Sequence, residues 1–282
     1  MNAILLIAII LGVSLQDVSK KIYNKRASAP GTYFFVTLSA LAAAIFFALT
    51  SGKLSFTPEI IPYSALFAAS YTAGVVGSVI AIASGPLSLT SLIVSFSLML
   101  PTLYGLIFLG DPISIGLFPG LVLLAASLFL INKRDKGVKI NTKWIISVIF
   151  AFLGNGFCTI SQKMEQIAFD GGYKNEFMII ALVITALICF VMMLIKERPI
   201  LKDQKLDGYA LGILCGGLNG AVNLFVMILS GLMPVSLMFP IISAGGIVAT
   251  FVISQVFYKE KLSSLQLIGF ILGTASVVLL NI

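Results

Sequence analysis

Ten stretches of about twenty mostly apolar residues fill this chain, and nearly all of its charge is confined to the short connections between them. The stretches fall at about 2–19, 32–50, 62–84, 87–109, 113–132, 144–166, 177–195, 208–230, 235–258 and 263–281. A helix needs roughly 20 such residues to cross the hydrocarbon core of a bilayer. It can do so because its backbone N–H and C=O groups satisfy one another where no water is present. Strands of a membrane barrel would alternate polar and apolar residues, whereas these runs are continuously apolar. A soluble domain carries about 25% charged residues; this chain has 10%, with 59% apolar residues and a mean hydropathy of +1.09. The sequence therefore predicts an all-α integral membrane protein of ten transmembrane helices. The expected location is a plasma membrane, in a bacterium the cytoplasmic one. The opening MNAILLIAIILGVSLQ has no basic lead and no small-residue cleavage site, and reads as a retained first span.

The residues that are missing narrow the chemistry. There is no His, so imidazole base catalysis and histidine metal ligation are excluded. Cys158, Cys189 and Cys215 stand alone in apolar runs and read as packing residues, not as a disulfide or metal framework. No catalytic constellation, cofactor motif or metal cluster stands out, so the expectation is a protein that is not an enzyme and holds no cofactor or metal. The formal charge of +7 reads as orientation charge on membrane connections, with no nucleic-acid partner.

The second half repeats the first. Residues 111–132, DPISIGLFPGLVLLAASLFLIN, align without a gap on 260–281, EKLSSLQLIGFILGTASVVLLN. Upstream, SGPLSL at 84–89 matches SG-LMPVSL at 230–237, and LGVSLQDVSKK at 11–21 matches LGNGFCTISQK at 153–163. The units are 1–132 and 144–282, joined by a basic connection at 133–143. Each holds five spans, an odd number, so the second enters the membrane in the opposite sense. Two inverted five-helix repeats are characteristic of secondary transporters.

Five spans per unit, with a short acidic junction after spans four and nine, resemble the drug/metabolite transporter superfamily, most nearly its EamA-type ten-helix members. The segments that carry the resemblance are PLSLTSLIVSFSLMLPTLYGLIFLGDPIS at 86–114 and PVSLMFPIISAGGIVATFVISQVFYKEKLS at 234–263. They are similar to the family's span, then (G)E-x-L-(S/T), then span. The first repeat departs from that pattern, with Asp111-Pro112 at the junction. The resemblance implies small-molecule transport by alternating access, through a central cavity lined by spans 1, 3, 4, 6, 8 and 9. It implies no particular solute, and the chain is expected to act as a monomer or homodimer.

Polar groups at membrane depth are costly and mark functional sites by default. Asn155 lies mid-span 6, and Asn219 and Asn223 mid-span 8, four apart and so on one helical face. Their amides could hold a zwitterionic or polar neutral solute, or they could bond helices together. Tyr71 and Gly74 sit mid-span 3, and Ser95 and Ser243 align across the repeat; all four join the expected substrate site. Pro101, Tyr104, Pro240, Gly245 and Gly246 are the expected gate and hinge positions, because proline frees a carbonyl and glycine adds slack. Gly116 with Gly120 and Gly269 with Gly273 are expected to form the seam between the two halves.

No acid occupies a span centre, and Asp17 and Glu165, near span ends, are the candidates for ion coupling. The expected function is movement of a small polar or amphipathic metabolite. The alternatives are a multidrug or lipophilic-cation exporter, which would want a buried carboxylate opposite aromatics, and a non-transporting membrane scaffold.

Overall fold

The computed structural model describes residues 2–26, 31–84, 93–94, 96–113, 115–131, 141–258 and 264–279. Among them there is no β-strand. The helices are α1 (Asn2–Arg26), α2 (Thr32–Thr50), α3 (Ile61–Ser84), α4 (Met99–Phe108), α5 (Leu117–Ile131), α6 (Thr142–Phe169), α7 (Lys174–Lys196), α8 (Leu206–Ser230), α9 (Val235–Tyr258) and α10 (Ser264–Leu279). Among the described residues, six segments are long and apolar enough to cross a membrane: Asn2–Lys20, Thr32–Thr50, Pro58–Ala81, Thr142–Phe169, Lys174–Lys196 and Leu206–Ser230. This is the architecture of a helical membrane protein.

Local chemistry sets the helix ends. Asn141 precedes α6 in extended conformation, and its side chain accepts from Trp144 N, satisfying one of the orphan donors of the first turn. The other end of α6 stops at Asp170, φ 50, followed by Gly171 at φ 69; two left-handed residues in succession turn the chain back into α7. Two further N-termini are capped from a distance. Glu197, just after α7, accepts Tyr33 N at 3.0 Å and Phe34 N at 2.9 Å, so its carboxylate closes the start of α2. Asp111, just after α4, accepts Ser236 N at 3.0 Å at the start of α9.

These contacts sort the helix ends into two groups. At one end Tyr23 meets Gly31, Glu197 meets α2, and Asn141 Nδ2 donates to Ser84 O. This is the basic end, where α1 finishes in Lys25-Arg26. At the opposite end Ser55 N donates to Glu176, Asp111 meets α9, and Lys163 reaches the close of α8. We refer to it as the Asp111 end.

In lipid, small residues let helices approach, and dispersion plus hydrogen bonding hold them. The α3–α6 contact is built this way. A Cβ on Gly154 would run into Gly74 N and Ser70 O, and one on Gly77 would lie 2.8 Å from Ala151 N. Gly208, Gly212, Gly216 and Gly220, four residues apart along α8, face Tyr23 and Phe34, Leu38, Ser39 with Ala42, and Phe46 in turn, so α2 lies along a glycine stripe. Elsewhere α1 packs on α8 and α9, α2 on α7, α3 on α7, α4 on α6 and α9, and α5 on α10. The largest apolar cluster gathers Phe47, Phe67, Phe177, Met178, Leu182 and Met227, where α2, α3, α7 and α8 converge.

Three expectations change. The fourth apolar run is broken, not kinked: residues 97–98 form a turn and α4 starts at Met99. Pro101 therefore sits in the first turn of α4, where a missing N–H costs little. The carbonyl of Ser97, expected to be orphaned, accepts Leu100 N at 3.0 Å. Second, α1 continues to Arg26 and α6 to Phe169, past the ends read from hydropathy, so residues near those ends move inward along their helices. Third, Gly74 makes a backbone approach to α6 and does not wall a ligand space.

Candidate functional site

Along α6, the residues Asn155, Thr159, Gln162, Lys163, Gln166 and Asp170 recur at three- and four-residue steps and so share one face. On α8 the facing series is Asn219, Asn223 and Ser230. Between them runs a polar seam. Gln162 Nε2 donates to Asn223 Oδ1 at 2.7 Å. Asn223 Nδ2 donates to Asn219 Oδ1 at 3.1 Å and to Asn219 O at 2.9 Å. Asn219 Nδ2 donates to Gln16 Oε1 of α1 at 3.2 Å. Each amide N–H₂ thus feeds the next carbonyl oxygen, in one direction through three helices, an arrangement in which each bond polarises the next. Tyr71, from α3, meets Asn219 from the side.

The remaining expected residues take different positions. Asn155 Nδ2 donates to Ser97 Oγ at 2.6 Å, tying mid-α6 to the turn before α4. Ser243 and Pro240 are buried on α9 and border a void of about 10 Å³ shared with α4 and α5. Gly245 meets Ile10 of α1 closely, whereas the Cβ position of Gly246 faces open space. Tyr104 stacks on Phe108 with ring centroids 5.4 Å apart, toward the Asp111 end of α4. Ser95 lies outside the described residues, as does the side chain of Asp17. Glu165, read from sequence as an edge residue, is fully buried: its Oε2 accepts from Gln166 Nε2, and its Oε1 has no partner.

Sequence reading missed Gln16, Gln162 and Ser97, which are 7%, 1% and 0% exposed. Gln16 and Gln162 lie toward the ends of the apolar runs at 2–19 and 144–166, where hydropathy does not set them apart. The longer α1 and α6 carry both well inside, and the repeat alignment, which pairs 11–21 with 153–163, could have drawn attention to them.

A cavity of about 420 Å³ opens where the seam reaches the Asp111 end. It lies between the last turns of α6 and α8 and the first turn of α7, and its walls include Lys163, Gln166, Asp170, Lys174, Ile228 and Gly231. This cavity lies beyond the amides, which satisfy one another along the seam. Among the described residues no group of three or more acidic or cysteine side chains could hold a metal, and the three cysteines are free and buried.

The fold and site define a helical membrane protein with a partly buried seam of amides leading to a cavity at one end. No family model matches the chain, and no curated protein matches it. A solved crystal structure of a protein is similar to it over 100% of this chain and 98% of that one, with a TM-score of 0.79 and 12% sequence identity. At that identity the likeness is one of fold alone.

Proposed function

We propose that the chain is a secondary transporter of a small polar or amphipathic metabolite. On this reading it has ten spans in two inverted repeats, is similar to the EamA-type drug/metabolite transporters, and works by alternating access without catalysis or cofactor. The observation that carries the reading is the amide seam: four side chains from three helices, hydrogen-bonded in series at membrane depth and continuing into a cavity. A scaffold needs neither the cost of polar side chains in lipid nor a cavity beside them.

The pattern of contacts supports the repeat. Advancing each helix number by five turns the packing of α3 on α6 into that of α8 on α1, α2 on α8 into α7 on α3, and α1 on α9 into α6 on α4. The pairs α2–α7, α4–α9 and α5–α10 return to themselves. The same operation acts atom by atom on α5 and α10: Ser127 Oγ donates to Gly269 O at 2.6 Å, and Ser276 Oγ donates to Gly120 O at 2.8 Å. Both serines and both glycines are aligned partners in the sequence repeat.

Solute uptake by the purified chain in liposomes tests the reading. Wild-type protein should accumulate or exchange at least one small polar solute, and Asn223→Leu should lose most of that flux while still inserting. Vesicles no more permeable than protein-free controls to amino acids, sugars, nucleosides and quaternary amines would refute it.

A further inference from the structure

We propose that the cavity at the Asp111 end is a receiving site for a zwitterionic solute, whose carboxylate is held by Lys163 and Lys174 and whose ammonium faces Asp170. The inference rests on the transporter reading and narrows its substrate class. Lys163 is half-buried on α6, and its Nζ donates to Ser230 O at 2.6 Å, one of the carbonyls left over at the end of α8. An ammonium has three donors, so two remain for the cavity. The hydrogen bond from Lys174 Nζ to Gly171 O, at 3.5 Å, is long and weak.

Asp170 projects from the left-handed residue that ends α6, on the wall of the same cavity. Two cations and one carboxylate therefore line one space, and among the described residues no ion pair joins them; Asp111 acts on Lys163 and Glu165 on Lys174 from outside its lining. Charges of both signs left separate across a cavity match a ligand that carries both signs.

The electrostatic setting agrees. The ends of α6 and α8 both point at the cavity and favour positive charge, whereas the start of α7 favours negative charge. Gln166 supplies an amide between them. The volume of about 420 Å³ falls in the range of small-molecule sites, roughly 300–1,000 Å³. Beyond Lys163, the amide of Gln162 begins the seam inward, with neutral donors and acceptors that suit a solute whose own charges sum to zero.

Titration calorimetry on the full chain in detergent tests this, with glycine, L-alanine and L-leucine as zwitterions, propionate and propylamine as single-charge probes, and short-chain phosphatidylglycerol as a lipid headgroup. At least one zwitterion should bind more tightly than either single-charge probe. Lys163→Gln and, independently of its folding, Lys174→Gln should each weaken that binding by about ten- to hundredfold, the size of a lost charge-assisted hydrogen bond. Asp170→Asn should erase the preference for zwitterion over propionate, and Lys53→Gln, on the α2–α3 connection, should change nothing. Propylamine binding as tightly as the zwitterions would overturn the proposal. So would binding of phosphatidylglycerol alone, lost in Lys163→Gln, which would make the cavity a lipid headgroup site. Liposome uptake that proceeds unaltered in Lys163→Gln and Lys174→Gln would sink this site and leave transport standing; zwitterion binding without uptake would do the reverse.

Discussion

Tyr23 shows how much one side chain holds at the basic end. Its hydroxyl accepts Gly31 N and donates to Gly31 O, both at 3.0 Å, closing the α1–α2 connection, and Gln204 lies at 3.4 Å. Its ring packs on Phe35 with centroids 4.5 Å apart. Burial, and then the nearby Glu197 carboxylate, push the phenol up to about 12, against the opposing pull of the Gly31 hydrogen bond. Because the folded phenol is the weaker acid, the stabilisation is complete below the unfolded pKa near 10 and fades as pH rises through the folded one. We expect thermal stability to fall between about pH 10 and pH 12, and this alkaline loss to shrink in Tyr23→Phe. That variant should itself cost about 1–2 kcal/mol at neutral pH, because the Gly31 amide loses its acceptor; melting curves against pH check both. At the same scale, Asn223→Leu strands the donor of Gln162 and the acceptor of Asn219, and should destabilise by about 1–3 kcal/mol. The sequence singles out Asn219, Asn223 and Asn155, because amides in apolar runs are conspicuous, and the structure finds all three half-buried and hydrogen-bonded. Their partners were harder to see, since Gln16 and Gln162 lie where hydropathy blurs into connection.

Helix positions were legible where apolar runs are sharply bounded: α2 and α9 occupy 32–50 and 235–258 as read. The break before α4 was not legible. Proline announces that a helix is interrupted, but whether the chain bends through it or restarts there depends on where the neighbouring carbonyls find donors. The glycines divide in the same way. Gly74, Gly154 and Gly246 look alike in sequence, yet two let backbones meet and one faces open space. Gly154→Val should therefore drive α3 from α6 and cost about 3 kcal/mol or more, beyond ordinary overpacking because the obstacle is backbone. Gly246→Ala should instead stabilise α9 by up to about 1 kcal/mol through helix propensity; if α9 bends there during transport, flux should slow as stability rises. Unfolding in a denaturant series, paired with uptake rates, separates these outcomes. Asp111 is the acid that the family pattern singles out. Its contact with Ser236 N and its position by the start of α9 give it a capping role, and Asp111→Ala should cost about 1 kcal/mol, with Asp111→Asn retaining part of it.

For the whole molecule, charge sets the expected orientation. Of the eighteen Lys and Arg, fifteen fall on connections that share one side and three on the other. Short basic connections stay in the cytoplasm because moving cations across during insertion is disfavoured. Both termini should then face outward, and the cavity beside Lys163 should open to the exterior. A C-terminal reporter active only in the cytoplasm should stay silent, and a membrane-impermeant thiol reagent should label a cysteine introduced at Asp170 in intact cells. The proposed repeat rests in the sequence on the segments of α5 and α10, which align without a gap. The position of the Lys163 cavity at one end was not legible, since sequence says nothing about where helices part.

The hydroxyl contacts between α5 and α10 bear on mechanics. Ser127 and Ser276 each grip a carbonyl on the opposite helix, and in membrane proteins such bonds contribute about 0.6 kcal/mol on average. Two equal, soft fastenings placed symmetrically about a pivot resist separation while exerting no net torque. On the transporter reading proposed above, the α5–α10 pair would serve as an axle, keeping the two sides of the molecule joined while the angle between them responds to a bound solute.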